Sequence, residues 1–211
     1  MVVRRPRASS TTEEILDAAE EVLKRGGSEG LSVRAVAQKI GISVGNLQYH
    51  FPTRARLIDA VFSRRGDEFR AAILGKVENL DDPRERFETI VDSWLASQHQ
   101  SDQALFWHLW AISAHDVDAK LTMKKVYNEM IDYLRVILRE IDPDLSVSQA
   151  RRKAALIVSM VEGSGLFVGH GRQPERGLGS LQVDVKRAVM ELAGCVVGAG
   201  SKARVRRKAA K

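Results

Sequence analysis

The sequence predicts an all-α protein of about nine helices, and three observations carry that reading. Apolar residues recur at spacings of three and four through most of the chain. Gly and Pro interrupt the pattern at short intervals, as they do between helices. Nowhere do apolar and polar residues alternate between turns: valine-rich pieces such as Ala155 to Val161 lie inside longer helical patterns.

The first pattern covers residues 12 to 25, where Ile15, Ala18, Ala19, Val22 and Leu23 make one apolar stripe. Thr11 with Glu14 offers a capping box at its start, and Gly26 and Gly27 are expected to end it. Ser32 then caps a short helix from 33 to 40 whose Val33, Val36, Ala37 and Ile40 face inward, and Gly41 stops it. A second short helix, about 44 to 50, follows after only Gly41-Ile42-Ser43, with Ile42 still able to reach the core. Two short helices joined by a tight glycine turn make a helix-turn-helix. Phe51 and Pro52 stop the second, and Thr53 caps a long helix that carries Leu57, Ile58, Val61, Phe62, Phe69 and Ile73 to about Leu80.

Asp81-Asp82-Pro83 breaks the periodicity, which resumes over about 84 to 99, 103 to 115 and 118 to 141 before Pro143. Two further helices, about 146 to 169 and 181 to 198, flank a connector containing Gly171, Pro174, Gly177 and Gly179. The expected division is a helix-turn-helix head over 1–57, a larger helical domain over 58–200 and a basic tail over 201–211.

A chain of 211 residues with 44% hydrophobic and 28% charged residues can bury a sizeable core. No apolar run is long enough to span a bilayer, and Met1 to Arg7 leads into Ser, Thr and Glu, not into an apolar signal core. A soluble, cytoplasmic protein with no membrane partner is expected. The lone Cys195 forms no intrachain disulfide and is assigned to packing. The net charge of +6 sits at the two ends, on Arg4, Arg5 and Arg7 and on Lys202, Arg204, Arg206, Arg207, Lys208 and Lys211. Without these nine, 24 basic residues face 27 acidic ones, so attraction to polyanions resides in the ends and not in the body.

A helix that reads DNA must present small or polar residues to enter a major groove about 12 Å wide. Ser43, Val44, Gly45, Asn46 and Gln48 meet that demand, while Leu47 faces inward and Tyr49 and His50 can hydrogen-bond phosphates at the exit. Arg4, Arg5 and Arg7 are positioned to enter the adjacent minor groove.

The segment from Leu31 to Leu57, LSVRAVAQKIGISVGNLQYHFPTRARL, resembles the DNA-binding signature of the TetR family. The resemblance rests on Val36, Ala37 and Ile40, the Gly41-Ile42-Ser43 turn, the Gly45-Asn46-Leu47 start and the Tyr49-His50-Phe51-Pro52 exit. It implies three DNA-binding helices followed by about six more that enclose a small-molecule cavity and dimerise. With it come double-stranded operator DNA in an inverted repeat, a small organic effector and a homodimer as expected partners. Arg34, Thr53 and Arg54 complete the expected DNA-contacting set, Arg54 keeping the charge that the family aims at a phosphate. Gln48 stands where many members carry tyrosine, and Arg54-Ala55 replaces the usual Lys-Glu. The lost acid weakens the helix-dipole interaction by roughly a few tenths of a kcal/mol.

For the cavity the candidates are Trp94, Phe106, Trp107, Trp110, Tyr127 and Glu162. Large aromatics at helical spacing serve equally as core or as walls for apolar, aromatic or cationic ligands. Glu162 interrupts the apolar run Ala154 to Val168, either to neutralise a cation or to accept hydrogen bonds between helices. The stretch FWHLWAISAHD resembles the corresponding region of the choline-sensing BetI-like branch. For the dimer, Ile157, Val161, Gly165 and Val168 on one helix and Val185, Val189, Leu192 and Val196 on the next are expected to form a four-helix interface.

Other chemistry is not indicated. His99, His108 and His115 are spaced by seven or nine residues, and seven helical residues span about 10.5 Å, too far for one tetrahedral ion, so no metal or cofactor is expected. The glycines from 163 to 171 lack the order of a phosphate loop, and no nucleophile, base and orienting group cluster as an enzyme requires.

Overall fold

Residues 11–98, 103–168 and 176–195 are described by the computed structural model, and among them every regular element is a helix. In chain order these are α1 Thr11–Gly30, α2 Val33–Ile40, α3 Val44–His50, α4 Arg54–Val77 and α5 Pro83–Ser97, then α6 Gln103–Ser113, α7 Val117–Ile141, α8 Val147–Val168 and α9 Leu181–Ala193.

Local hydrogen bonding sets the boundaries. Ser32 Oγ accepts the Ala35 N–H at 3.1 Å and starts α2. Thr53 Oγ1 accepts the Arg56 N–H at 3.2 Å ahead of α4, and the Asp82 carboxylate accepts the Arg84 N–H at 2.9 Å with Pro83 opening α5. Several ends differ from the sequence expectation. Thr11 is already helical instead of capping, while the first helix breaks where the glycine pair is expected to end it, at Gly27 with φ 62°, ψ −162°, and a further turn reaches Gly30. The α4 helix closes at Val77, three residues early, and α6 closes at Ser113, where His115 and Asp116 both return their N–H groups to Ile112 O at 3.0 Å. The α9 helix ends at Ala193, not 198, because Gly194 takes φ 79° and the Cys195 N–H returns to Met190 O at 2.9 Å. Positions 99, 169 and 196–198 of the expected helices lie outside the described residues.

The described residues group into two compact units, 1–70 with 101–126 and 71–100 with 127–211, and α4 and α7 contribute residues to both. In the first unit Ile15, Ala19, Leu23, Val36, Leu47, Leu57, Val61, Phe62, Leu105 and Leu109 form a core with essentially no solvent exposure. Burying each larger side chain of that set stabilises the unit by about 1.5–3 kcal/mol. The second unit is built on Phe87, Val91, Trp94, Leu134, Leu138, Ala154, Ile157, Val161 and Val189, with α9 packed on both α8 and α5.

Ion pairs fix α1 to α4. Glu20, 5% exposed, meets Arg64 and also Arg65 at 2.7 Å, while Arg64 reaches Asp17 at 2.8 Å and Glu13 at 3.1 Å. Burial works against the Arg64 charge, but its hydrogen bonds and charge contacts with Glu20, Asp17 and Glu13 outweigh that and hold the guanidinium protonated more firmly than a free arginine. Breaking a buried pair by removing one partner costs about 3–5 kcal/mol, because the other charge stays uncompensated. Glu20→Ala is therefore expected to lower unfolding stability by about 3 kcal/mol in urea titration. A loss below about 1 kcal/mol would place the pair among solvent-screened surface bridges instead.

Candidate DNA interface and candidate ligand site

The first candidate site is the corner made by α2, α3 and the three residues between them. Gly41, at φ 72° and ψ 26°, directs its N–H at Ala37 O and Gln38 O, and Ile42 N–H bonds Ala37 O at 3.1 Å. A β-carbon at that φ would be strained, so glycine is what allows the chain to reverse within three residues. Ser43 then caps α3 by accepting the Asn46 N–H at 3.1 Å. Leu47 is wholly buried and locks α3 onto the core, and it leaves Val44, Gly45, Asn46, Gln48 and Tyr49 exposed on the other side with Ser43 and Arg34. Tyr49 is 84% exposed and stands edge-on to His50, ring centroids 5.4 Å apart. His50 is half-buried, its Nδ1 3.2 Å from Thr12 Oγ1 of α1.

Two expected contact residues have internal roles here. Thr53 Oγ1 caps α4. Arg54 donates from Nε to Leu31 O at 2.8 Å, and its guanidinium lies 3.5 Å from the Asp116 carboxylate, which also accepts the Ala119 N–H at the start of α7. Arg54 thus ties the start of α4 to the link before α2. That role left no pattern in the sequence, since it depends on a backbone carbonyl 23 residues away. Arg4, Arg5 and Arg7 lie outside the described residues.

The second candidate site lies within the second unit. Glu162, on α8, accepts from Trp94 Nε1 of α5 at 3.0 Å and from Tyr127 Oη of α7 at 3.2 Å. Three of the six expected cavity residues are thereby brought together. The other three belong to the first unit: Phe106 packs in its core 6.1 Å from Phe62, Trp107 is half-buried, and Trp110 is 52% exposed. The sequence reading did not single out Gln98. It follows Trp94 by four residues, caps α5 and is 0% exposed, and neither its Nε2 nor its Oε1 has a hydrogen-bond partner. An unsatisfied buried polar group costs about 1–3 kcal/mol. The Gln98 amide lies directly against Gly165, where a β-carbon would collide with Oε1 and sit 3.2 Å from Cδ.

Of the expected dimer residues, Ile157, Val161, Gly165, Val168 and Val189 are buried within the single chain. Val185 and Leu192 are half-buried, and Val196 lies outside the described residues. The large apolar side chains that α8 and α9 expose are Val147, Leu156, Leu166, Phe167 and Val183.

Residues 15–61 match the family described as bacterial regulatory proteins, tetR family. The tetracycline repressor protein class D of Escherichia coli is 27% identical over 187 residues, covering 75% of this chain and 84% of the relative. Among solved structures, a TetR transcriptional regulator from Legionella pneumophila superposes with TM-score 0.66 at 23% identity, over 88% of this chain and 98% of that one. A Saccharomonospora viridis protein solved in complex with choline gives TM-score 0.68 at 17% identity, over 85% of this chain and 95% of that one. At these identities the two structures establish the likeness of fold.

The Arg54 clamp has a measurable consequence. A hydrogen bond from a charged donor contributes about 1.5–3 kcal/mol, so Arg54→Ala is expected to lower the urea unfolding free energy by about 2 kcal/mol even without DNA. An unchanged midpoint would return Arg54 to a purely DNA-facing role.

Proposed function

We propose, for a chain that belongs to the TetR family of bacterial transcriptional regulators, that it acts as a ligand-responsive repressor which binds an inverted-repeat operator as a homodimer and leaves it when a small organic effector is bound. The observation that carries the reading is the α3 face: a helix seated by Leu47 and capped by Ser43, with Val44, Gly45, Asn46 and Gln48 turned to solvent. Such a face fits a major groove, and two copies related by a two-fold axis would address two half-sites about 34 Å or somewhat more apart. In this reading residues 1–57 engage DNA, with Arg4, Arg5 and Arg7 in the minor groove and His50 and Tyr49 on phosphates, while 58–200 sense and dimerise.

The dimer is assigned to the outward faces of α8 and α9, through Leu156, Leu166, Phe167 and Val183. The effector is assigned to the second unit, at Glu162 with Trp94 and Tyr127. A carboxylate beside two aromatic rings suits an organic cation, and the choline bound by the Saccharomonospora viridis protein of like fold supports that choice. A ligand that favours the conformation with the wrong half-site spacing by about 1–3 kcal/mol would weaken operator binding roughly 5- to 150-fold.

Two outcomes check this reading. In gel shifts on DNA selected by the protein, Asn46→Ala and Gln48→Ala should each weaken operator binding by about 1–3 kcal/mol while leaving random DNA unchanged. Equal losses on both DNAs would mean that α3 does not read bases. In sedimentation, Leu166→Arg with Phe167→Arg should yield folded monomers, because a charge in a self-complementary apolar interface meets its own copy. A dimer that persists would exclude this face.

A further inference from the structure

Within the second unit, Gln98 differs from every other buried polar group described. The arginines with a buried Nε, Arg64, Arg65 and Arg86, each meet a carboxylate, whereas Gln98 leaves both ends of its amide unpaired at 0% exposure. Nor is its place accidental packing at a loose helix end. The last turn of α5 is held from α9, where Gln182 donates to Leu95 O at 3.1 Å, and the Gln98 N–H closes on Leu95 O and Ala96 O. The amide is admitted against α8 only because residue 165 has no side chain.

The surroundings make the amide part of a site. Trp94 and Gln98 share one face of α5, four residues apart, and Glu162 and Gly165 share one face of α8, three apart. Both helices therefore set the Gln98 amide about one turn along from the carboxylate that holds the Trp94 and Tyr127 donors. An N–H donor and a carbonyl acceptor side by side, closed off from bulk solvent, are complementary to a group that presents one acceptor and one donor in the same plane.

We propose that this site recognises a small ligand bearing a lactam or carboxamide group, paired with the Gln98 amide through two hydrogen bonds. The ligand's carbonyl accepts from Gln98 Nε2 and its N–H donates to Gln98 Oε1, while Trp94 and Glu162 flank the remainder. The proposal rests on the ligand-responsive reading above and adds a carboxamide group to the cationic effector assigned there to Glu162, Trp94 and Tyr127.

The test uses the full-length protein, labelled with ¹⁵N, and the lactam δ-valerolactam as probe. Saturable shifts of the Gln98 side-chain amide resonances are expected, and N-methyl-δ-valerolactam, which lacks the N–H, should bind about ten-fold more weakly. Gln98→Leu removes two unsatisfied buried atoms, so it should raise the melting temperature without ligand and abolish the response to the lactam. Gly165→Ala gives the same loss of response with folding intact, since its β-carbon evicts a flexible amide end and helix propensity improves. Absent Gln98 shifts, equal binding of the N-methyl analogue, or a Gln98→Leu protein that melts lower because a buried water satisfies the amide, would each overturn the proposal. Operator binding is followed in parallel by gel shift. A protein that still binds operator but ignores the lactam defeats only the ligand assignment, and one that binds no operator defeats the regulator reading itself.

Discussion

Helices of eight and seven residues do not hold their shape in water, because so few hydrogen bonds cannot offset the cost of nucleation. The α2–α3 corner exists only because the first unit supplies what the two helices lack. Caps at Ser32 and Ser43 satisfy backbone donors, Gly41 accepts a left-handed turn, and Val36, Ala37 and Leu47 enter a core built by α1, α4 and α6. The exposed residues of α3 contribute little to that stability. They can therefore be chosen for what they contact outside the protein, which is the condition for a surface that reads sequence.

The same division of labour explains why so much charge is placed between α1 and α4. Glu20, Arg64 and Arg65 are costly to bury, and similar volume in apolar side chains would hold the helices at least as well. The pairs restrict α4 to one register against α1, however, since a slip would leave guanidinium groups facing no carboxylate. Arg54 does the equivalent at the start of α4 by clamping Leu31 O. The position of α3 thus follows from polar contacts with fixed geometry as well as from apolar packing, which tolerates sliding.

Much of this head was legible in the sequence. The α2 and α3 boundaries, the Ser32 cap and the Gly41 turn follow from local chemistry, and the structure has them where spacing puts them. Legibility fails where a residue's role depends on distant partners. The periodicity of α8 reveals an apolar stripe, but an inward core stripe and an outward dimer stripe look alike in composition, so the burial of Ile157 and Val161 within the chain is not readable from spacing alone. Aromatic residues have the same ambiguity: Phe106 packs as core against Phe62, while Trp94 and Tyr127 converge on Glu162. Gln98 was invisible for a further reason, since a glutamine at a helix end reads as surface until burial is known.

The two candidate sites use one functional group in opposite ways. Asn46 and Gln48 present amides to solvent, and in the proposed reading a base edge would replace their water, so the exchange would be nearly neutral and the gain per contact small. Discrimination there would come from the wrong base, which dehydrates an amide and returns no partner. The Gln98 amide is closed off from bulk solvent with no hydrogen-bond partner in the protein, so in the proposed site its desolvation would precede ligand binding. A matching ligand then gains hydrogen bonds without a second desolvation of the protein, and a ligand lacking either the donor or the acceptor recovers only part. An exposed amide thus yields selectivity through penalties on the wrong partner, and a buried one yields affinity through relief supplied by the right one.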